Sequence, residues 1–260
     1  MIKVNLLAVS VGNTRTRLGA FVEGDLVETA TYVNGREAKL CDAMQHAFEQ
    51  LRDREDTVVL MSSVNANAEE HIEQLVKENL NREVVRIERD IAIPIGRQLD
   101  PEAIVGEDRL LNAAAAYDVL KQSCVVVDAG TAITVDFVDG QGTFHGGAIA
   151  PGAQLQLDSL ANRTAQLPET FIEKPVEAIG HNTVEAMRAG VFYGLRGMVH
   201  ELVEKFAEET GQYPLVVATG GDAQLLYRNY ELVDRVVPNL TLSGIAITLR
   251  KHLEQEQNAE

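Results

Sequence analysis

The sequence predicts an α/β protein made of two β-rich domains. Three observations carry that expectation. Residues 3–34 hold three short strand-like segments, after which helix-period and strand-period segments alternate to residue 87, giving the order βββαβαβ. After one further helix the same order restarts at Cys124. The segment closing the first strand of each half also has one character: Ser10-Val11-Gly12-Asn13-Thr14 in the first, Asp128-Ala129-Gly130-Thr131-Ala132 in the second.

The first strand lies within 3–11, and strands at 16–23 and 26–33 follow, joined at Gly24-Asp25, a pair suited to a hairpin. Gly12-Asn13-Thr14 is a tight turn. It is either an ordinary hairpin turn or a cradle offering N–H groups and a hydroxyl to phosphate. Residues 36–52 form a helix with Leu40, Ala43, Met44, Ala47, Phe48 and Leu51 as its apolar stripe. A buried strand at 57–61 ends in Ser62-Ser63, a helix at 67–80 turns Ile72, Leu75, Val76 and Leu80 inward, and a strand covers 83–87. Pro94 and Pro101 interrupt 88–105, and a helix from Glu107 to about residue 120 bridges the halves. The second half has strands at 124–127, 133–138 and from Gly142 to Gly147, then an irregular stretch. A long helix at 183–209, a strand at 214–219, a Gly220-Gly221 turn, a helix, a short strand near Val236 and a final helix from Leu240 complete it.

With 23 basic and 39 acidic residues the net charge is −16 and the pI about 4.8. Such a chain is repelled by nucleic acid and anionic membranes, so neither is an expected partner. Cys41 and Cys124 are too few and too far apart to imply a disulfide framework. No apolar run approaches the roughly 20 residues that span a bilayer. The chain enters a strand at once, without a secretory leader, and the expected location is cytoplasmic.

Six clusters are candidates for chemistry. The first is the turn after Ser10. The second is Asp128 to Ala132, where a carboxylate at the end of a buried strand either binds a cation or stabilises its own turn. The third is Gly106-Glu107-Asp108-Arg109 at a helix start, with Asp108 either a general base or an N-cap. Glu107 points elsewhere, because adjacent helix residues do not share a face. The fourth, Gly146 to Gly152, is a glycine loop that approaches a ligand or is merely crowded. The fifth is the long helix, opened by a capping box of Asn182 and Glu185. Its expected core stripe is Val184, Met187, Val191, Leu195, Met198, Leu202 and Phe206, while Ala186, Gly190 and Gly194 suit a dimer seam or close intramolecular packing. The sixth, Val216 to Ala223, is a strand and Gly-Gly turn suited to adenosine or phosphate. The sequence has no Walker A motif, no Gly-x-Gly-x-x-Gly, no zinc-type spacing and no serine elbow.

Two such domains, each with a strand–Gly–Thr turn, resemble the superfamily of sugar kinases, Hsp70 and actin. In chain order, GNTRTR, PEAIVGEDRLLNAAAAY, VVVDAGTAITVDFV, GGAIAPG, Leu167-Pro168, NTVEAMRAGVFYG and VVATGG resemble type III pantothenate kinase over nearly the whole sequence. The resemblance implies two ribonuclease-H-like domains, at 1–105 and 106–260, with the active site in the cleft between them. It implies phosphorylation of pantothenate by ATP to 4'-phosphopantothenate, the first step of coenzyme A synthesis, in a cytoplasmic homodimer. It implies ATP with Mg2+ or a similar divalent metal, and K+ or NH4+. Ser10, Val11, Gly12, Asn13, Thr14, Arg15, Thr16 and Arg17, with Thr131, would bind ATP. Gly106, Glu107, Asp108, Arg109 and Thr183 would bind pantothenate, Asp108 would be the catalytic base, and Asp128 would hold the monovalent cation.

Two positions depart from the family pattern. Its first motif is Asp-x-Gly-Asn-Thr, and here Ser10 stands at the Asp position. A serine is neutral where a carboxylate would face a hydrated divalent cation. Gln98-Leu99-Asp100-Pro101 stands where the family often has Tyr-x-Asn-Pro. Ser10 leaves a second expectation beside the kinase: a catalytically impaired relative acting as a regulatory or accessory binding protein. An ATPase or nucleotide switch on the same fold is a third.

Overall fold

The computed structural model describes residues 2–35, 37–54 and 56–259. Arg36, where the first helix was expected to begin, lies outside them. The chain forms two compact units, one of Met1–Ile95, Glu102–Asp118 and Leu240–Glu260, the other of Gly96–Pro101 and Val119–Asn239.

In the first unit β1 (Leu6–Val11) pairs antiparallel with β2 (Arg15–Val22), which pairs antiparallel with β3 (Asp25–Val33). The β2–β3 turn is Glu23-Gly24, both at positive φ, 54° and 93°. That is the backbone twist a two-residue hairpin needs. After α1 (Glu37–Glu49), β4 (Val58–Ser63) returns parallel to β1; after α2 (Ala66–Leu80), β5 (Val84–Arg86) returns parallel to β4. The sheet order is β3-β2-β1-β4-β5. Alternation then sorts the side chains. Leu7, Val9 and Val11 pack with Leu18, Ala20, Val59 and Met61 against α1 and α2, so Ser10, Arg17 and Ser62 share the opposite face.

A short β6 (Gly96–Arg97) opens the second unit's sheet, and α3 (Glu107–Leu120) follows. Then come β7 (Cys124–Ala129), β8 (Ala132–Val138), β9 (Thr143–Pro151), α4 (Ala153–Arg163), α5 (Thr183–Thr210), β10 (Leu215–Thr219), α6 (Ala223–Tyr227), β11 (Arg235–Val236) and α7 (Leu240–Ala259). The order β11-β10-β7-β8-β9-β6 repeats that of the first unit with one strand added at the edge. Val125, Val127, Ala129, Ile133 and Val135 pack against α4, α5 and α6, so Asp128, Thr134 and Thr219 share the other face.

Three sequence expectations change. Residues 146–151 of the expected glycine loop are the second half of β9, paired residue by residue with β8 through Ala132↔Pro151, and Gly152 caps α4. The irregular stretch conceals α4, whose alternating AQLQLDSL buries Ala153 and Leu157 but exposes Leu155 and Leu160, so its pattern has period two rather than 3.6. The core stripe of α5 runs through Phe192, Val199 and Val203 as well as Met187, Val191 and Leu195, while Val184 is half-buried outside the core cluster.

The units also differ from a division at residue 105, because α3 as far as Asp118 and all of α7 belong with the first. Thr241 Oγ1 donates to Asn112 Oδ1 at 2.9 Å. Gly244 lies on α3 so closely that a Cβ there would stand 2.4 Å from the Leu111 carbonyl oxygen. Gly244→Ala is therefore expected to lower stability by about 1–3 kcal/mol. Gly190→Ala, on the exposed face of α5 with open space around it, is expected to raise it by up to about 1 kcal/mol. Urea midpoints of the two variants check the opposite signs.

Candidate active site

The first unit gathers polar groups where the parallel pair β1–β4 ends. Register places Ser10 beside Ser62 on one side and Arg17 on the other. Beyond Ser10 the chain turns through Gly12, Asn13 and Thr14, closed by Gly12 N–H donating to the Arg15 carbonyl at 2.9 Å. Val11 and Thr16 are buried, whereas Asn13, Thr14 and Arg15 are exposed. The Thr16 hydroxyl is committed to Asn34 Oδ1 at 2.9 Å. Asn34, just past β3, also donates from Nδ2 to the carbonyls of Gly12 and Asn13 at 2.9 and 3.2 Å. Nothing in the sequence separates Asn34 from any other turn asparagine.

Helix α3 begins at this same strand end. Glu107 does point away from its neighbour: its Oε2 accepts from Ser62 Oγ at 2.7 Å and from Ser63 N at 3.0 Å. Burial pushes its carboxyl above the usual value, the two serine bonds oppose that, and the charges of Glu88 and Glu69 add to the rise. Asp108 is raised by burial too, against the Arg109 N–H and the charges of Arg109 and Arg17. Its Oδ1 accepts from Arg109 N at 2.8 Å. A Cβ on residue 106 would lie 2.6 Å from that same Oδ1, so Gly106 leaves the space the carboxylate occupies. A half-buried carboxylate with an elevated pKa suits proton acceptance.

The second unit repeats the arrangement. Register sets Asp128 between Thr134 and Thr219, the places that Ser10, Arg17 and Ser62 have in the first unit. Gly130 N–H donates to the Ala132 carbonyl at 3.0 Å, a turn one residue shorter than the first. Gly220, at φ 97°, closes the strand end; a Cβ there would stand 2.5 Å from Asp128 Oδ1 and 2.4 Å from the Ala129 carbonyl. The Thr219 hydroxyl is buried without a hydrogen-bond partner among the described residues. Thr131 is exposed beside this turn. Thr183, also exposed, is the first residue of α5; Asn182 caps it by accepting from Glu185 N at 3.0 Å, and Glu185 accepts from His181 N at 2.8 Å. The capping box thus reaches one residue further back than its usual form. The expected residues therefore fall into two sets: Ser10 to Arg17 with Gly106 to Arg109 in the first unit, and Asp128, Thr131 and Thr183 in the second.

Two sheets of one repeated order, each ending its central strand in a Gly turn, are the fold of actin-like ATPases and sugar kinases. Among solved structures, component A of (R)-2-hydroxyglutaryl-CoA dehydratase from Acidaminococcus fermentans superposes with a TM-score of 0.58 at 17% identity, covering 96% of this chain and 99% of that one. MreB5 of Spiroplasma citri bound to AMPPNP gives 0.53 at 12%, covering 99% of each. The sequence profile described as type III pantothenate kinase matches residues 6–205. A type III pantothenate kinase from Dehalococcoides mccartyi is 35% identical over 250 residues, 93% of this chain and 96% of that protein. The chain belongs to the type III pantothenate kinase family.

The carboxyl shifts have a testable sign. A folded-state pKa raised above the unfolded value contributes stability below the unfolded pKa and loses it as pH rises through the folded one. Burying ionised Asp108 therefore opposes folding at neutral pH. Asp108→Asn is expected to melt at or above the parent temperature at neutral pH, and the difference should shrink on acidification towards the ordinary value of 3.8. Thermal denaturation at both pH values measures it.

Proposed function

We infer that this chain is a pantothenate kinase that transfers the γ-phosphoryl group of ATP to the primary hydroxyl of pantothenate. Membership of the family supports the reaction, and the observation that carries the reading is Asp108: a half-buried carboxylate, raised in pKa, at the start of α3. Asp108 accepts the proton as the hydroxyl oxygen attacks phosphorus. The Arg109 N–H and the charges of Arg109 and Arg17 work against the rise that burial causes in the Asp108 carboxyl. The exposed turn of Asn13 and Thr14 presents backbone to the ATP phosphates, and Thr131 contacts the nucleotide. Gly106, Arg109 and Thr183 belong to the pantothenate side of the reading, while Glu107 secures α3 to the end of β4 through Ser62 and Ser63.

The second-unit cluster fits a monovalent cation. One carboxylate, Asp128, and the unpartnered buried hydroxyl of Thr219 make a hard-oxygen donor set of low charge. Asp128 with Thr219 would hold K+ or NH4+. Such an ion, together with a divalent metal, would supply charge neutralisation during transfer. Mg2+ retains waters and is held through substrate phosphates and few carboxylates. Ser10, neutral at the place Asp128 takes in the second unit, lowers the negative charge available to it. The reading also includes a cytoplasmic homodimer.

A coupled assay with ATP, Mg2+, K+ and pantothenate is expected to yield phosphopantothenate, and ATP loss without it would defeat the reading. Asp108→Asn should lower turnover about 10²- to 10⁴-fold while the chain stays folded. Ser10→Asp should tighten divalent-metal activation; an unchanged metal dependence would mean that another group supplies that charge.

A further inference from the structure

We propose that Asn34 is a positioning residue of the ATP site, one that sets the direction of every peptide group in the Gly12–Thr14 turn. The proposal rests on the kinase reading. Its observation is separate from that reading: one residue takes three consecutive carbonyl oxygens. The Asn34 Nδ2 group donates to Gly12 O at 2.9 Å and Asn13 O at 3.2 Å, and its backbone N–H donates to Thr14 O at 3.0 Å. Its Oδ1 accepts from the buried Thr16 hydroxyl at 2.9 Å. That bond orients the amide, because a flipped amide would set its oxygen against two carbonyls.

The consequence follows from covalent geometry. In a trans peptide the C=O of one residue and the N–H of the next point to opposite sides. No cis peptide occurs among the described residues. With the carbonyls of Gly12, Asn13 and Thr14 drawn to Asn34, the N–H edges of Asn13, Thr14 and Arg15 face away from it. Carbonyl oxygens repel a phosphate and N–H groups attract it, so this ordering makes the turn an anion-binding surface. Without the amide the turn can rotate a carbonyl outward, and ordering it again would fall to the nucleotide. The shorter turn of the second unit, Gly130-Thr131, has one peptide fewer to orient.

The test compares the full-length parent with Asn34→Ala and Asn34→Asp by calorimetric titration with MgATP and by steady-state kinetics in both substrates. Loss of these hydrogen bonds should weaken ATP binding and raise its KM about tenfold in Asn34→Ala, leaving the pantothenate KM within about twofold. Asn34→Asp should be weaker still, since it sets a carboxylate against two carbonyl oxygens and near the incoming phosphates. ATP affinity unchanged in Asn34→Ala, or equal rises in both KM values, would overturn the proposal, the second outcome marking a merely structural role. If Asn34→Ala does not fold, Thr16→Val decides. It frees Oδ1 while keeping side-chain volume, and is expected to raise the ATP KM selectively; no selective rise would overturn the proposal. A parent that binds no ATP would defeat the kinase reading itself, whereas a parent that binds it beside an indifferent Asn34→Ala defeats the Asn34 assignment alone.

Discussion

Everything in this protein is built outward from one kind of contact: a central strand that pairs antiparallel on one side and parallel on the other. β1 does so between β2 and β4, and β7 between β8 and β10. The antiparallel neighbour follows through a tight turn, whereas the parallel neighbour must return through a helix. Chain reversal and helix crossover therefore meet at the same strand end. Backbone is crowded there, apolar packing on the helix side is complete through Val11 and Ala129, and the residue two steps before the turn glycine faces the other way. Ser10 and Asp128 are those residues. A polar group at that point is a consequence of strand alternation as much as of chemistry.

The crowding explains the glycines and the order of the polar groups around them. Gly220 and Gly106 each leave the space in which a carboxylate oxygen sits, that of Asp128 and of Asp108. Neither acid is placed by an ion pair alone. Asp108 is confined by burial, which raises its pKa, with the charges of two arginines working against that rise. Glu107, one residue earlier, gives its charge to the serines that end β4. Two neighbouring acids thus take different surroundings, Glu107 on the serines of β4 and Asp108 beside Gly106 and Arg109, because a helix sends consecutive side chains in different directions.

Much of the fold was legible because its signals are local. The three leading strands, the crossover helices and the restart at Cys124 follow from periodicity, and the paired turns follow from Gly, Asn and Thr at strand ends. Helix α4 was hidden because two buried residues sufficed to dock it, leaving an alternating pattern. The 146–151 segment looked like a loop because glycines weaken a strand pattern; its pairing with β8 restores it. For the site, Asp108, Asp128 and the Gly12 turn stood out by residue type. Asn34 did not, since it is distinguished only by the three carbonyls it meets; Thr219 lay within the Val216 to Ala223 cluster, but its hydroxyl, unpartnered among the described residues, shows only in the structure.

By itself, the sequence determined the two-fold repetition of a β-rich α/β plan, the turns that end each central strand, and the order of motifs that places the chain in its family. These are properties of neighbouring residues, set by steric preference and by the period of apolar side chains. Only the tertiary structure decided that α7 returns to pack on α3, that Glu107 is bound to Ser62 and Ser63, and that Ser10 and Asp128 hold equivalent places. Those facts join residues far apart in the chain, and the close approach of two backbones that creates them leaves no periodic trace in either segment.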